Sequence, residues 1–150
     1  EAIELINCIK NKPFNELVGP MIDPERKLIK FSPVLGNDFT DPSYHTIAFY
    51  RAYADATGDS EWLEIAKNSI EYLKKAAHPE TGLCGDYSEY DGTPKAMPWF
   101  PESNCFSGDA WRVALNLSLD YALFGGLPHS WTIRHRQRHY SRQTRSAMHN

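Results

Sequence analysis

Residues 108–124, GDAWRVALNLSLDYALF, read as a helix that is apolar almost all round, with Ala110, Trp111, Val113, Ala114, Leu115, Leu117, Leu119, Tyr121, Ala122, Leu123 and Phe124 broken by few polar groups. A helix of this kind is expected to be surrounded by protein. Its exceptions are Asp109, Arg112, Asn116 and Asp120, which stand at i, i+3, i+7 and i+11 and so share one face. Burying such groups is costly unless they are paired or line a wet cavity, so the stripe is expected to face something polar. Asp109 falls in the first turn, where the positive end of the helix dipole and the free backbone amides favour its ionised form. A carboxylate held ionised at a cavity edge is suited to accept a proton from water. Arg112, one turn on, is placed either to hold that carboxylate or to bind a substrate hydroxyl. A plainer account stands beside this one: an Asp in a first turn is favourable anyway, and Asp-Arg at i, i+3 is an ordinary helix pair. Trp111 reads as a core aromatic, the alternative being a ring that contacts substrate. Asn116-Leu117-Ser118 matches a glycosylation pattern, but a helix interior is the wrong place for one.

The rest of the chain supports a helical array. Ile3, Leu5, Ile6 and Ile9 have helix-like spacing and stop at Lys12-Pro13. Between Met21 and Phe31 an Asp23-Pro24 turn separates two short apolar runs, a small hairpin at most. Asp41-Pro42 starts a second helix, because Asp41 caps with its carboxylate and Pro42 at the first position loses no hydrogen bond; this helix is expected to run to Thr57 and end at Gly58. A third begins at Asp59-Ser60-Glu61, with Leu63, Ala66, Ile70, Leu73 and Ala77 on its apolar face and Pro79 as its stop. Glu64, Lys67, Asn68, Glu71, Lys74 and Lys75 form its wet face. Residues 78–106, rich in Gly, Pro, Asp and Tyr, make a loop long enough to be functional, after which Ser107 is expected to cap the last helix. Two helices with a tight join, a long loop and another helix are the wiring of a helical-hairpin array.

Composition removes several classes. At 150 residues with 41% hydrophobic and 23% charged residues, and 7 Phe, 8 Tyr and 4 Trp, the chain is globular rather than disordered and suits one domain or a piece of one. No apolar run is long enough to span a membrane, the start EAIELINCIK lacks the regions of a signal peptide, and the absence of an initial Met suggests a fragment. A cytoplasmic or periplasmic setting is expected over a membrane, and neither compartment nor oligomeric state is specified. The net charge of -3 hides a split. Residues 127–150 hold Arg134, Arg136, Arg138, Arg142 and Arg145 with no acid, and so form an atypical basic tail, whereas residues 1–126 are strongly acidic. An acidic body argues against nucleic acid as the main partner. Cys8, Cys84 and Cys105 are odd in number and widely spaced, so no disulfide framework and no metal knuckle is signalled.

Further candidates lie outside the last helix. Tyr44 and His45 sit in the first turn after Asp41-Pro42, where Tyr44 could share a water with a carboxylate across a cleft; a half-buried packing tyrosine and a satisfied structural histidine are the plainer readings. The middle loop supplies Asp86, Tyr87, Glu89, Tyr90, Asp91, Trp99, Phe100 and Glu102. Flat rings cover the C–H side of a pyranose and acids accept its hydroxyl hydrogens, although solvated loop acids explain such a mixture as well.

Read together, DPSYHTIAFYRAYA and FSGDAWRVALNLSLDYALF resemble glycoside hydrolase family 8, and within it the branch of reducing-end xylose-releasing exo-oligoxylanases. The likeness covers residues 1–126. It implies an all-α fold, a fragment of an (α/α)6 toroid with a small β-hairpin insertion, in which inner helices line a cleft. It also implies an inverting hydrolase of β-1,4-linked glycans acting on an oligosaccharide, with no metal and no cofactor. By that resemblance Asp109 is the general base, Tyr44 hydrogen-bonds the attacking water, and Arg112 positions the base or the sugar; His45, Trp111, Tyr87 and Trp99 are the candidate substrate contacts. The family's general acid is a Glu upstream of anything here, as is a further sugar-binding Asp, so the 150 residues alone are expected to be inactive. A toroid needs about twelve helices and well over 300 residues, from usual helix and connection lengths. The tail 127–150 resembles nothing in the family, and a frame change would explain it. Two other functions fit the stripe: a non-catalytic carbohydrate-binding helical array, and a different toroidal sugar enzyme such as an epimerase or lyase, which would favour His45 as the proton-transfer group.

Overall fold

Gly58 decides the geometry of the central helix pair. It adopts φ 71°, a left-handed conformation that suits glycine, and its amide closes on the carbonyl of Ala54 at 2.9 Å, ending one helix. Asp59 follows at once and accepts the Glu61 amide at 3.0 Å, starting the next. The computed structural model describes residues 1–125. Within them the order is α1 (Ala2–Asn11), β1 (Phe39–Thr40), a 3-10 turn (Pro42–Tyr44), α2 (Ile47–Thr57), α3 (Glu61–Ala76), β2 (Ser88–Glu89), a second 3-10 turn (Pro101–Asn104) and α4 (Arg112–Phe124). The basic tail 127–150 lies outside the described residues.

The core sits between α2 and α3, which pack on each other, and α4 also packs on α2 and adds Val113 to the cluster. Ile47, Trp62 and Ile65 are fully buried, and Trp62 stacks on Tyr50 at 5.9 Å and takes Tyr53 edge-on at 5.1 Å. The wet face of α3 is as expected, but its apolar face is rotated. Leu63 is exposed, and the buried line runs through Trp62, Ile65, Ser69, Tyr72 and Ala76 beside Ala66, Ile70 and Leu73. The large indole of Trp62 offers more surface to bury than Leu63, and it sets the rotation. α1 joins this core through Ile6 and Ile9, while Lys10 forms ion pairs with Asp59 and Glu61.

Two expectations are corrected. The helix expected from Pro42 to Thr57 is two pieces. Asp41 does cap, accepting the Ser43 amide at 2.7 Å, but the chain leaves helical geometry at His45, whose ring turns inward. The segment between Met21 and Phe31 is, as expected, a small hairpin at most: a single antiparallel bridge, Ile22 to Ile29, closed by Asp23, whose carboxylate accepts the amides of Glu25 and Arg26. The ladder proper among the described residues is antiparallel β1–β2, Phe39 opposite Glu89 and Thr40 opposite Ser88. Last, α4 begins at Arg112 rather than at Ser107 and is not surrounded: Leu115, Tyr121, Leu123 and Phe124 are exposed, and only Val113 and Asp120 are buried. The described residues cover only the face that meets α2, the 42–44 turn and, through Val113 and Leu117, the core cluster holding Ile70 and Leu73 of α3.

Candidate active site

The polar stripe of α4 divides into two halves with different work. Asn116 donates to the carbonyl of Ser43 at 2.8 Å, and Asp120 accepts from Arg51 Nε at 2.7 Å, so these two fasten α4 to the turn at residues 42–44 and to α2. Asn116 is thereby spent on a structural contact, and the glycosylation pattern has no free acceptor there. The upper half stays open. Asp109 lies in the turn at residues 108–111 that leads into α4, its carbonyl accepting the Arg112 amide at 2.9 Å. Its carboxylate is 41% exposed and pairs with Arg112 Nη1 at 2.6 Å. The guanidinium also lies over the Trp111 ring at 5.8 Å. Trp111 is 53% exposed, which corrects the core reading and leaves its face beside the ion pair.

The capping group for this turn comes from the long loop. Asp86, 1% exposed, accepts both the Asp109 amide at 3.0 Å and the Ala110 amide at 2.7 Å through Oδ1. Ser107, which sequence spacing favoured, is exposed. Asp86 is therefore no solvated loop acid and no sugar contact. Its neighbour Tyr87 is half-buried in an aromatic group with Phe31 at 4.7 Å, Phe39 at 5.5 Å and Phe100 at 5.9 Å. Tyr44 stacks on the same Phe31 at 5.9 Å with the rings nearly parallel.

Electrostatics ties these residues into one cluster. Burial pushes the Tyr44 phenol above its ordinary range; the charges of Asp41 and Asp109 push it further, and Arg112 opposes them. Tyr87 is raised by burial and then by Asp41, Tyr44, Asp86 and Asp109. Asp41, 1% exposed, is pushed up to about 6, first by burial and then by the nearby charges of Asp109 and Asp86. Asp109, Arg112, Tyr44 and Tyr87 thus share one neighbourhood. Trp99 stands 66% exposed, between Met97 and Phe100, whose backbones bridge. Among the described residues no group of His, Cys, Asp and Glu is arranged to hold a metal ion.

His45 is corrected as a substrate contact. It is 0% exposed, with Nδ1 at 2.9 Å from Ser69 Oγ, Nε2 at 3.1 Å from Thr40 Oγ1 and its ring stacked on Tyr72 at 4.3 Å. Burial holds its pKa down at about 3, so the imidazole is neutral and structural. A linked pH dependence follows. The unfolded chain protonates His45 near 6.5 and the fold near 3, so His45 lowers stability as pH falls through that window. Asp41 acts oppositely, because the fold binds its proton near 6 and the unfolded chain near 3.8. Relative to wild type, His45→Gln is expected to gain stability, and Asp41→Asn to lose it, by up to about 1.4 kcal/mol per pH unit on acidification from pH 6 to 4. Urea midpoints at both pH values check the two signs.

Two members of this neighbourhood, Asp41 as a buried carboxylate and Asp86 as a remote cap, were not legible in the sequence. A cap that reaches its amides from 23 residues upstream leaves no local spacing to read.

The sequence model of Glycosyl hydrolases family 8 matches residues 11–123. The chain is 40% identical over 122 residues to the reducing-end xylose-releasing exo-oligoxylanase Rex8A of Paenibacillus barcinonensis, covering 79% of this chain and 31% of that protein. It is 44% identical over 110 residues to the reducing end xylose-releasing exo-oligoxylanase of Halalkalibacterium halodurans, covering 71% and 27%. Among solved structures, a catalytic mutant of a xylanase from Teredinibacter turnerae in complex with xylohexaose matches with a TM-score of 0.79 at 32% identity, over 95% of this chain and 39% of that one. The chain spans about three-tenths of the length of the curated relatives it matches. Its helices are a section of an (α/α)6 toroid. With the match extending over most of the described residues, the chain belongs to glycosyl hydrolases family 8.

Proposed function

We propose that this chain supplies the general base to an inverting hydrolase of β-1,4-linked xylo-oligosaccharides. The observation that carries the reading is the half-exposed Asp109 carboxylate at the head of α4, ion-paired to Arg112 and sharing its neighbourhood with the Tyr44 phenol. In this reading a water molecule bound between Asp109 and Tyr44 attacks the anomeric carbon and Asp109 takes its proton. Arg112 keeps the carboxylate in place, and Trp111, Tyr87 and Trp99 offer ring faces to the sugars. No metal or cofactor takes part.

Inversion also requires a carboxylic acid about 6.5–9.5 Å from the base to protonate the leaving oxygen. Asp41 has the raised pKa such an acid needs, but both it and Asp86 are sealed from substrate. By family resemblance the acid is instead a Glu outside these 150 residues. The relatives named for xylose release and the xylohexaose complex support xylo-oligosaccharide as substrate. A toroidal epimerase or lyase working through His45 is disfavoured by that residue's complete burial. A purely carbohydrate-binding array remains the competing reading.

NMR of the first product released by the full-length protein from xylotriose separates the readings. The inverted anomer alone is expected at early times, and no xylose from the 150 residues by themselves. A retained anomer, or no hydrolysis by the full-length protein, would overturn the assignment.

A further inference from the structure

We propose that Asp86 is a positioning residue for catalysis, fixing the backbone from which Asp109 projects. The inference rests on the reading of Asp109 as the base. Arg112 holds the tip of the Asp109 side chain, but nothing in that ion pair fixes its root. The root is a turn whose leading amides have no partner within the helix. Asp86 Oδ1 takes two of them together, Asp109 N at 3.0 Å and Ala110 N at 2.7 Å. Ala110 is fully buried, so its amide has no solvent alternative.

The other end of this link is rigid as well. The Asp86 amide donates to the Cys105 carbonyl at 3.0 Å and the Tyr87 amide to the Ser103 carbonyl at 2.7 Å, which pins the loop segment carrying Asp86 to the segment just before the turn. Ser103, itself fully buried, bonds Lys95 O and Met97 N and closes the loop on itself. Asp86 Oδ2, by contrast, is buried with no hydrogen-bond partner among the described residues. Sealing a carboxylate while using one of its two oxygens is costly, and a neutral acceptor would cap the turn at less expense. The site therefore accepts a cost to place one acceptor at that point. Gly108 lies against the same carboxylate, since a Cβ there would stand 3.2 Å from Asp86 Oδ2, tight enough to shift the group by a few tenths of an ångström.

The test uses full-length protein and steady-state kinetics on xylotriose, with circular dichroism and thermal unfolding confirming that each variant folds. Asp86→Ala is expected to lower kcat about 100-fold with KM little changed, because displacement of a reacting group by about 1 Å costs on that order. Asp86→Asn keeps an acceptor oxygen for both amides and is expected to recover most of kcat. Gly108→Ala, which displaces the carboxylate without removing it, is expected to lower kcat several-fold. A folded Asp86→Ala or Gly108→Ala variant with wild-type kcat would overturn the inference, as would an Asp86→Asn variant as slow as Asp86→Ala. Asp109→Asn measured in parallel keeps the two ideas apart: wild-type turnover there sinks the base assignment itself, whereas loss there with a normal Asp86→Ala sinks only the positioning role.

Discussion

Replacing Asp109 with Asn in the full-length protein is expected to lower kcat on xylotriose by about 10²–10⁴-fold, the usual contribution of a general base, while KM changes far less. The amide matches the carboxylate in shape and still offers Arg112 an oxygen at the position now 2.6 Å away. It cannot take a proton from water. The loss should therefore fall on the chemical step, which single-turnover measurements would show directly. Turnover within tenfold of wild type would remove Asp109 from the role, and the stripe on α4 would then be read as a sugar-binding surface.

The largest expected effect on stability lies far from that carboxylate. Trp62→Ala should cost about 3–5 kcal/mol, the range for deleting a buried aromatic ring from a packed core. Trp62 is fully buried against Tyr50 and Tyr53, and Lys10 Nζ stands 5.5 Å from its ring. Its indole N–H has no hydrogen-bond partner among the described residues, so the ring acts through packing and its face toward Lys10 rather than through that nitrogen. Trp62→Phe should consequently cost much less than Trp62→Ala. Chemical denaturation followed by circular dichroism measures both, and equal losses would mean that the indole nitrogen matters in a way its surroundings do not suggest.

Local chemistry was legible wherever partners are neighbours in sequence. Gly58 as a stop, Asp59 as the next start, the wet face of α3 and the Asp109–Arg112 pair one turn apart all depend on groups within four residues of each other. Asp41 as a cap was legible too, but the length of the helix it starts was not. His45 leaves helical geometry because its ring satisfies Thr40 and Ser69, and Ser69 lies 24 residues away. The same distance problem hid the role of Asp86 and made Ser107 look like the cap. It also hid the division of the polar stripe, because nothing near Asn116 or Asp120 in sequence announces Ser43 or Arg51 as a partner.

The amino-acid sequence by itself determined that the chain is helical, where its turns fall, which carboxylate stands at the head of α4, and through two short motifs the family to which it belongs. Those features are set by spacing along the backbone, which the order of residues records. Only the tertiary structure decided that His45 is sealed, that Asp86 rather than Ser107 holds the Asp109 turn, and that the lower half of the stripe is interhelical bonding. Burial and long-range hydrogen bonds depend on which surfaces meet, and that is a property of the packed chain that no local spacing encodes.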